Sequence, residues 1–356
     1  MDFQGGFFLM RGRFEDPIFA VKKRRGAWIV WLAVLVIVLS IAFILNLMNN
    51  QRIEVETVSV TVPDIPSAFN GYKILHISDL HGASFGSQQS GFAAAISDLK
   101  YNMVCITGDV TDESGNFTAF TDLLRCIPEG IPVYFISGDE DPLAIISVSH
   151  AVNNHKAEYV LAAEKLGAVY LDAPVCIQSG SAKLWVVPGS YYTTDIQVSR
   201  HSLQAYQETL QGDDADNEAA LRVVQYRLGV LDKMEEAQLA MLSGDVNITL
   251  THFPFTASSV ASLPDTDTAD DFSNISVILA GHYNNGQFRL PLIGPVFVPE
   301  SISSVENGTY SGLQSLRGIQ QYISPGLGVS GEYPLRARFC NTPTVTLVTL
   351  TNKLTK

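Results

Sequence analysis

Basic residues are scarce in this chain of 356 residues. It has 23 lysines and arginines against 36 aspartates and glutamates, which gives a net charge of −13. Six of the basic residues lie before residue 26, so the remainder carries 17 basic and 33 acidic residues, a net charge of −16. Such an acidic body repels polyanions unless a cation lies between them. We therefore expect no nucleic-acid partner, and the charge balance favours a metal-binding protein.

Closely spaced cysteines are also absent. The four cysteines lie far apart, without the C-x-x-C spacing of a zinc knuckle or a redox pair. Cys105 lies in an apolar, strand-like run, which predicts a buried residue that packs as a small hydrophobe. The spacing leaves open whether any of the four forms a disulfide. The chain has no visible internal repeat or low-complexity tract.

Charge is missing altogether between Gly26 and Gln51. The apolar run in this stretch is long enough to cross a hydrocarbon core of about 30 Å as a helix, so residues 26–48 are predicted to form a single transmembrane helix. The preceding basic cluster Lys22–Arg25 predicts a cytoplasmic tail over residues 1–25 and an extracytoplasmic body at the cell membrane. A cleaved signal peptide is the alternative, but the apolar core is long and no small-residue cleavage site follows it.

Apolar, β-branched runs recur through the rest of the chain, and each ends abruptly at polar residues. Segments with helical periodicity lie between several of these runs, which is typical of an α/β fold with buried strands. Residues 53–66 predict a hairpin at the start of this part. Residues 199–243 predict two helices, which either lie over the crevice beyond the strands or form an ordinary crossover between two strands.

Acidic and imidazole side chains follow five of the apolar runs. In open α/β sheets, ligand-binding and catalytic groups collect beyond the carboxyl ends of the strands, so these side chains are expected to meet. Carboxylate oxygens and imidazole nitrogens together bind borderline divalent ions such as Mn, Fe, Co or Zn. The residues at the strand ends are Asp79, His81, Asp109, Asp139, Glu140, Asp141, His252 and His282.

Five motifs in this order resemble the motif series of the calcineurin-like metallophosphoesterases, in particular their membrane-anchored bacterial branch. The motifs are ISDLHG, ITGDVTD, SGDED, LTHFP and AGHYNNGQFRLP. The later segments GPVFVP, YSGL and PGLGVSGEYPLR are similar to that branch as well. The resemblance implies a four-layer α-β-β-α metallophosphoesterase sandwich over residues 53–352, preceded by the transmembrane helix.

The resemblance also implies two divalent metal ions and a reaction. Asp109 and a hydroxide would bridge the ions, and the hydroxide would attack phosphorus in line while both ions stabilise charge on the phosphoryl oxygens. The implied ligands are Asp79, His81, Asp109 and Asn284 for one ion, and Asp109, Asp139, His252 and His282 for the other.

Three positions depart from the family's pattern. Asp139 stands where the family has an asparagine, and it still offers an oxygen ligand. Glu140 stands where the family has a catalytic histidine that donates to the ester, and an ionised carboxylate there would repel phosphate unless burial keeps it protonated. Asn284 stands where the family has a histidine ligand and offers an amide oxygen instead. Together the substitutions favour Mn as the metal, with Mg, Fe and Zn as alternatives.

The sequence therefore predicts a metal-dependent phosphoesterase that hydrolyses phosphomonoesters or phosphodiesters, with Asp109 and Glu140 as candidate catalytic residues. Because the predicted helix holds the domain at a membrane, lipid-linked or cell-envelope phosphates are plausible substrates. The alternative is a catalytically impaired pseudoenzyme that binds a phosphorylated ligand or a partner protein. The departures at Asp139, Glu140 and Asn284 motivate that alternative.

Overall fold

The computed structural model describes residues 27–146, 155–210, 215–261, 274–296 and 308–353. The chain divides into two compact units, Met1–Leu45 and Asn46–Lys356. The basic cluster on which the orientation of the span was predicted lies outside the described residues. The statements that follow concern the described residues alone.

Helix α1 (Ala27–Asn50) is formed by the uncharged apolar run. Its 24 residues extend about 36 Å at the usual rise per residue, which exceeds the hydrocarbon thickness of a bilayer. The apolar side chains from Trp28 to Leu45 are exposed to a large extent. In the described part of the chain, α1 is the one helix that is long and apolar enough to span a membrane, a property that a signal sequence shares.

The first sheet contains six strands in the spatial order β1-β14-β2-β3-β4-β5. Strands β2 to β5 are parallel to one another, β14 is antiparallel to β2, and β1 is parallel to β14. The central strands are buried on both faces, as their continuous apolar runs predict. Its strands are β1 (Glu54–Thr61), β2 (Lys73–Ile77), β3 (Met103–Thr107), β4 (Val133–Ile136), β5 (Ala168–Tyr170) and β14 (Thr344–Thr351).

The second sheet also contains six strands, in the order β12-β13-β9-β8-β7-β6. Strands β13, β9, β8 and β7 are parallel, while β12 and β6 are antiparallel edge strands. A separate short hairpin pairs β10 (Arg289–Leu290) with β11 (Gly294–Pro295). The strands of the second sheet are β6 (Val175–Ser179), β7 (Ala182–Pro188), β8 (Val246–Leu250), β9 (Val277–Ala280), β12 (Gly312–Leu316) and β13 (Ile319–Ile323).

Helices cover the outer face of each sheet. Three apolar cores separate the layers: one between the first sheet and its helices, one between the two sheets, and one between the second sheet and its helices. This arrangement confirms the predicted four-layer α-β-β-α fold. The outer helices are α2 (Ser90–Ile96), α3 (Thr118–Arg125), α4 (Glu158–Lys165), α5 (Ile196–Thr209), α6 (Ala215–Ala240) and α7 (Ala257–Ala261).

The predicted hairpin over residues 53–66 is wrong. The segment forms the single strand β1, which pairs in parallel with β14 from Glu54 opposite Thr344 to Thr61 opposite Thr351. A local alternation of apolar and polar residues predicts an extended strand, but the partner of the strand lies nearly 300 residues away. No local pattern could identify it.

Helices α5 and α6 form the crossover between the parallel strands β7 and β8. Leu231 and Met234 of α6 pack in the core on the outer face of the second sheet. Arg200 of α5 joins the two helices through ion pairs with Asp232 and Glu235. Of the two arrangements considered for residues 199–243, the crossover is the one found.

The cysteines are free, and Cys105 is fully buried in β3, as its apolar context predicts. Burial raises the pKa of the Cys105 thiol. This residue therefore acts as a packed, neutral side chain of the core between the two sheets.

Candidate metal centre

The carboxyl ends of strands β2, β3, β4, β8 and β9 bring the candidate residues to one crevice. The chain turns sharply after β2, β3 and β9, where the residues take a left-handed backbone conformation that non-glycine residues rarely adopt. Such conformations are strained, and they collect at functional sites where the surrounding fold holds them. The left-handed residues are Asp79, His81, Asp109, His282 and Asn284.

Two glycines allow the segments of the crevice to approach each other closely. A Cβ atom on Gly138 would overlap Oδ1 of Asp109, and a Cβ atom on Gly281 would overlap the hydroxyl of Ser78. No larger residue fits at either position without a shift of the backbone. The glycines of the SGDED and AGHYNNG segments are therefore needed for packing of the crevice.

Asp109 lies at the centre of the crevice and is almost fully buried. Its Oδ2 lies 3.2 Å from Nε2 of His252 and 3.6 Å from Nε2 of His81. Its Oδ1 accepts a hydrogen bond of 3.0 Å from the backbone N–H of Glu140. One carboxylate thus reaches histidines from both sheets, because His81 follows β2 and His252 follows β8.

The Asp and His side chains form two groups that share Asp109. In each group, the candidate ligand atoms all lie within 4.8 Å of one another, close enough to surround one ion. The first group consists of Asp79, His81 and Asp109. The second group consists of Asp109, Asp139, His252 and His282.

The orientation of His252 makes it suitable as a metal ligand. Its Nδ1 lies 2.7 Å from the backbone oxygen of Thr107, and because a carbonyl oxygen only accepts, Nδ1 must donate. In the neutral ring, Nε2 then keeps its lone pair, and it lies 2.7 Å from Oδ1 of Asp139. A lone pair facing carboxylate oxygens at this distance requires a proton or a cation between them. A backbone acceptor of this kind is the usual means of fixing a ligand histidine.

Unpaired polar atoms also fit a metal at this site. Oδ2 of Asp79, Nε2 of His252 and Oδ1 of Asn284 are buried without a hydrogen-bond partner among the described residues. Leaving such atoms without a partner costs free energy, and a bound cation would satisfy Asp79 and His252 directly. The donor set of carboxylates and imidazoles is the one that suits borderline divalent ions.

Mutual pairing shifts the pKa values of the candidate ligands. Burial lowers the pKa of His252, but the carboxylates of Asp109 and Asp139 close to its Nε2 outweigh burial and raise that pKa well above the usual value. Burial raises the pKa of Asp139, but the neighbouring rings of His252 and His282 outweigh burial and leave that pKa well below its usual range. The carboxylate of Asp139 therefore stays charged and attracts a positive partner.

Glu140 is held in place by a histidine and a loop. Its Oε2 lies 3.4 Å from Nδ1 of His81, and its Oε1 accepts a short hydrogen bond from the hydroxyl of Ser330. Burial alone raises the pKa of Glu140, but His81 and Ser330 outweigh burial and lower it to about 2. The carboxylate is therefore ionised at neutral pH, and burial does not keep it protonated.

Asn284 lies in the crevice with its amide nitrogen toward the histidines. Its Nδ2 lies 3.2 Å from Nε2 of His81 and 3.3 Å from the backbone oxygen of His282. The backbone oxygen of Asn284 accepts from Nδ2 of Asn341, which anchors the turn. The side-chain amide of Asn284 would have to rotate by half a turn to bring its oxygen, instead of its nitrogen, toward His81. A histidine at this position, as the resemblance implies for the family, would not need that rotation to act as a ligand.

Asp141 supports the crevice without belonging to either metal-binding group. Its Oδ1 accepts from the backbone N–H groups of Val110 and Thr111, and its Oδ2 accepts from that of Gly138, each at 2.9 Å. These bonds tie the segment after β3 to the segment after β4.

Sequence reasoning missed the part played by the loop after β13. Ser330 binds Glu140, and Asn341 binds the backbone oxygen of Asn284. The signal was present in the PGLGVSGEYPLR segment, but the contact partner of Ser330 lies 190 residues earlier in the chain and could not be read from it. Arg336 of the same segment pairs at 2.7 Å with Oε1 of Glu113.

The residues of the crevice fall largely within a match to a known protein family. A model of the calcineurin-like phosphoesterase family matches residues 72–284. No curated protein sequence matches the chain.

Several solved structures are similar to the chain at low identity. The phosphopantetheinyl hydrolase PptH of Mycobacterium tuberculosis is 12% identical, with a TM-score of 0.35, over 72% of this chain and 90% of that chain. Protein TT1561 of Thermus thermophilus is 12% identical, with a TM-score of 0.36, over 72% of this chain and 91% of that chain. The sulfate thiohydrolase SoxB of Thermus thermophilus, in complex with glycerol, is 11% identical, with a TM-score of 0.34, over 81% of this chain and 58% of that chain.

Proposed function

The chain belongs to the calcineurin-like phosphoesterases, a family of metal-dependent phosphoric ester hydrolases, and we propose that it hydrolyses a phosphate ester at the crevice around Asp109. The observation that carries the proposal is the pair of Asp and His groups that share this one carboxylate. A carboxylate with two oxygens is the group that can hold two cations side by side. A purely structural protein would not need this arrangement.

The proposed ligands are those that the family resemblance implies. When bound, two divalent ions supply Lewis-acid stabilisation of the phosphoryl oxygens and lower the pKa of water. The chain holds its ligands in place by fixed contacts: Thr107 orients His252, and Asp141 ties together the segments that carry Asp109 and Asp139. The proposed ligands are Asp79, His81, Asp109 and Asn284 for one ion, and Asp109, Asp139, His252 and His282 for the other.

Manganese is the proposed metal. Four carboxylates, those of Asp79, Asp109, Asp139 and Glu140, lie at the crevice. Hard oxygen donors of this kind favour Mn or Mg over Zn, while the three histidines favour Mn or Fe over Mg. Mn is the ion that suits both the carboxylate oxygens and the histidine nitrogens.

The proposed substrate is a phosphomonoester or phosphodiester, with lipid-linked or cell-envelope phosphates favoured by the apolar helix at the N-terminal end. A cavity beside the metal-binding groups is lined by His81, Glu113, Glu140 and neighbouring residues. Its carboxylates disfavour a second anionic group on the substrate. A leaving group that is neutral or cationic suits this cavity.

Metal titration of the full chain in detergent tests the proposal. The metal-stripped protein is expected to take up two equivalents of Mn²⁺ and then to hydrolyse bis(p-nitrophenyl) phosphate or p-nitrophenyl phosphate, with no hydrolysis before metal is added. Metal content is measured by elemental analysis and hydrolysis by release of p-nitrophenol. Hydrolysis that persists unchanged after exhaustive chelation would contradict a metal mechanism.

A binding protein without turnover is the second candidate function. It is favoured by the ionised carboxylate of Glu140, which cannot donate a hydrogen bond or a proton to the ester, and by the amide nitrogen of Asn284, which faces His81. Stoichiometric metal uptake together with tight binding of inorganic phosphate, but with no hydrolysis of either ester, would favour this candidate over the enzyme.

Membrane anchoring is proposed for the first part of the chain. The proposed organisation is a cytoplasmic tail over residues 1–25, a single span over residues 26–48, and an extracytoplasmic phosphoesterase domain over residues 53–352. The length and composition of α1 support the span, and the basic cluster Lys22–Arg25 supports the orientation.

A reporter fused after Lys356 tests this topology. Alkaline phosphatase, which is active only outside the cytoplasm, is expected to be active in the fusion, and the fusion should remain in the membrane fraction after a wash at high pH. Release of the fusion in soluble form would indicate a cleaved signal sequence. Fluorescence from a reporter that is fluorescent only in the cytoplasm, fused at the same position, would show that the orientation is the opposite of the one proposed.

A further inference from the structure

The hairpin formed by β10 and β11 exposes two large apolar side chains at its tip. Leu292 and Ile293 are 108% and 74% exposed. Leu292 also takes a left-handed backbone conformation, which glycine or asparagine adopts at lower cost. An exposed leucine at a position that favours glycine is unfavourable in water, so the tip is expected to meet an apolar partner.

The base of the hairpin is fixed to the segment that follows Arg338. The backbone N–H of Arg289 donates to the oxygen of Phe339 at 2.9 Å, and the rings of Phe288 and Phe339 stack with centroids 5.0 Å apart. Cys340 and the hairpin residues Arg289 to Gly294 line one cavity. The hairpin and residues 339–340 therefore form one local unit.

The same segment is bound by the last turns of the apolar helix. The backbone N–H of Cys340 donates to Oδ1 of Asn46 at 3.0 Å. The Nδ2 groups of Asn46 and Asn50 each donate to the backbone oxygen of Arg338 at 2.8 Å. Hydrogen bonds from Asn46 and Asn50 thus connect the base of the hairpin to the last turns of this helix.

Exposed apolar residues lie on this helix end as well. Leu47 and Met48, which follow Asn46 and belong to the same compact unit, are each about half exposed. If the helix crosses a bilayer, its last turn lies at the boundary between lipid and water. The contacts through Cys340 then bring the hairpin to that boundary.

The charge of the hairpin segment fits a membrane surface. Residues 283–296 contain no aspartate or glutamate and contain Arg289, although the body as a whole is strongly acidic. Anionic lipid headgroups would repel most of the body but not this segment. A segment at a lipid interface is expected to have an apolar tip, with neutral or positively charged residues next to it.

We propose that the hairpin over residues 289–295 docks on the bilayer, with Leu292 and Ile293 inserted among the lipids. The inference rests on the membrane anchoring proposed above and does not depend on hydrolysis. The hairpin directly follows the turn that carries Asn284, and Arg289 donates to the backbone oxygen of Asn285 at 2.8 Å. Docking therefore holds one rim of the metal crevice close to the headgroups, where a lipid-linked phosphate would lie.

Tryptophan fluorescence in nanodiscs made with brominated phosphatidylcholine tests the proposal on the full chain. The variant Leu292→Trp adds one indole at the tip, and Leu239→Trp adds one at a comparably exposed apolar position of α6. The emission that the indole at 292 adds to that of the parent is expected to lose most of its intensity when the lipid is brominated. Its maximum is expected to lie at shorter wavelength than that of the indole at 239. The emission added at 239 should lose little, and both variants should keep the melting temperature of the parent.

The parent protein separates failure of the anchor from failure of the hairpin. Trp28 and Trp31 lie in α1 and report on the anchor, since brominated lipid is expected to quench them in the parent. If brominated lipid quenches the parent but quenches the added emission of the 292 and 239 variants to the same extent, the hairpin proposal alone is overturned. A parent that brominated lipid leaves unquenched would overturn the anchor and the hairpin together.

Discussion

Replacement of Asp109 by asparagine is expected to abolish hydrolysis and to prevent the binding of two metal ions. Asparagine keeps the acceptor for the backbone N–H of Glu140 but offers one oxygen and no charge to the histidines on either side. Loss of a residue that merely supports a ligand costs about 10- to 100-fold in affinity or activity, so loss of the carboxylate shared by both groups should cost more than about 100-fold.

Metal stoichiometry and hydrolysis are measured together on the variant and on Asp122→Asn. Asp122 lies on α3 and pairs with Arg125 at 2.6 Å, so this control removes the same charge away from the crevice. The control should keep both metal ions and full activity. An Asp109→Asn protein that hydrolyses esters as fast as the parent would refute the proposed centre.

Replacement of Glu140 by histidine is expected to increase turnover by about 100-fold, the usual effect of one hydrogen-bond donor to a developing negative charge. The ionised carboxylate of Glu140 repels the ester, whereas a histidine can donate to it, as the resemblance implies for the family. His81 loses its carboxylate neighbour in this variant but keeps its contact with Asp109. The increase should therefore appear in kcat, with the metal content unchanged.

A second carboxylate beside the same cavity provides the control. Glu113→His makes the same chemical change, but Glu113 pairs with Arg336 and not with His81. Its turnover should remain at the level of the parent. If Glu140→His also leaves turnover unchanged while both ions bind, Glu140 does not limit catalysis, and the binding function becomes the better account.

The layered fold could be predicted from the sequence because its strands are buried on both faces. Continuous β-branched runs such as those of β3 and β8 have few structural alternatives, and the polar residue that ends each run marks the edge of the sheet. The strand β1 was the exception, because its alternating pattern is compatible with a local hairpin as well as with the distant partner β14. Local periodicity predicts that a strand exists and not which strand lies beside it.

The chemistry of the crevice was predicted to the level of residue type. The spacing of Asp79 and His81 after β2, and the single histidines after β8 and β9, indicated a site for divalent ions. The state of Glu140 could not be predicted, because burial raises the pKa of a carboxyl group while a histidine and a hydroxyl lower it. The partners that decide the balance, His81 and Ser330, lie about 60 residues before it and 190 residues after it in the chain.

The sequence by itself determined the uncharged helix, the existence of the buried strands and the donor atoms at their ends, because each depends on neighbouring residues within one segment. The tertiary structure alone decided that Asp109 lies between histidines of two different sheets, that the amide nitrogen of Asn284 faces His81, and that Asn46 binds beside the exposed hairpin. These features depend on hydrogen bonds and close approaches between residues that lie far apart in the chain, by nearly 300 positions for Asn46 and Cys340. Packing of the whole chain brings such residues together, and no periodicity within a segment encodes it.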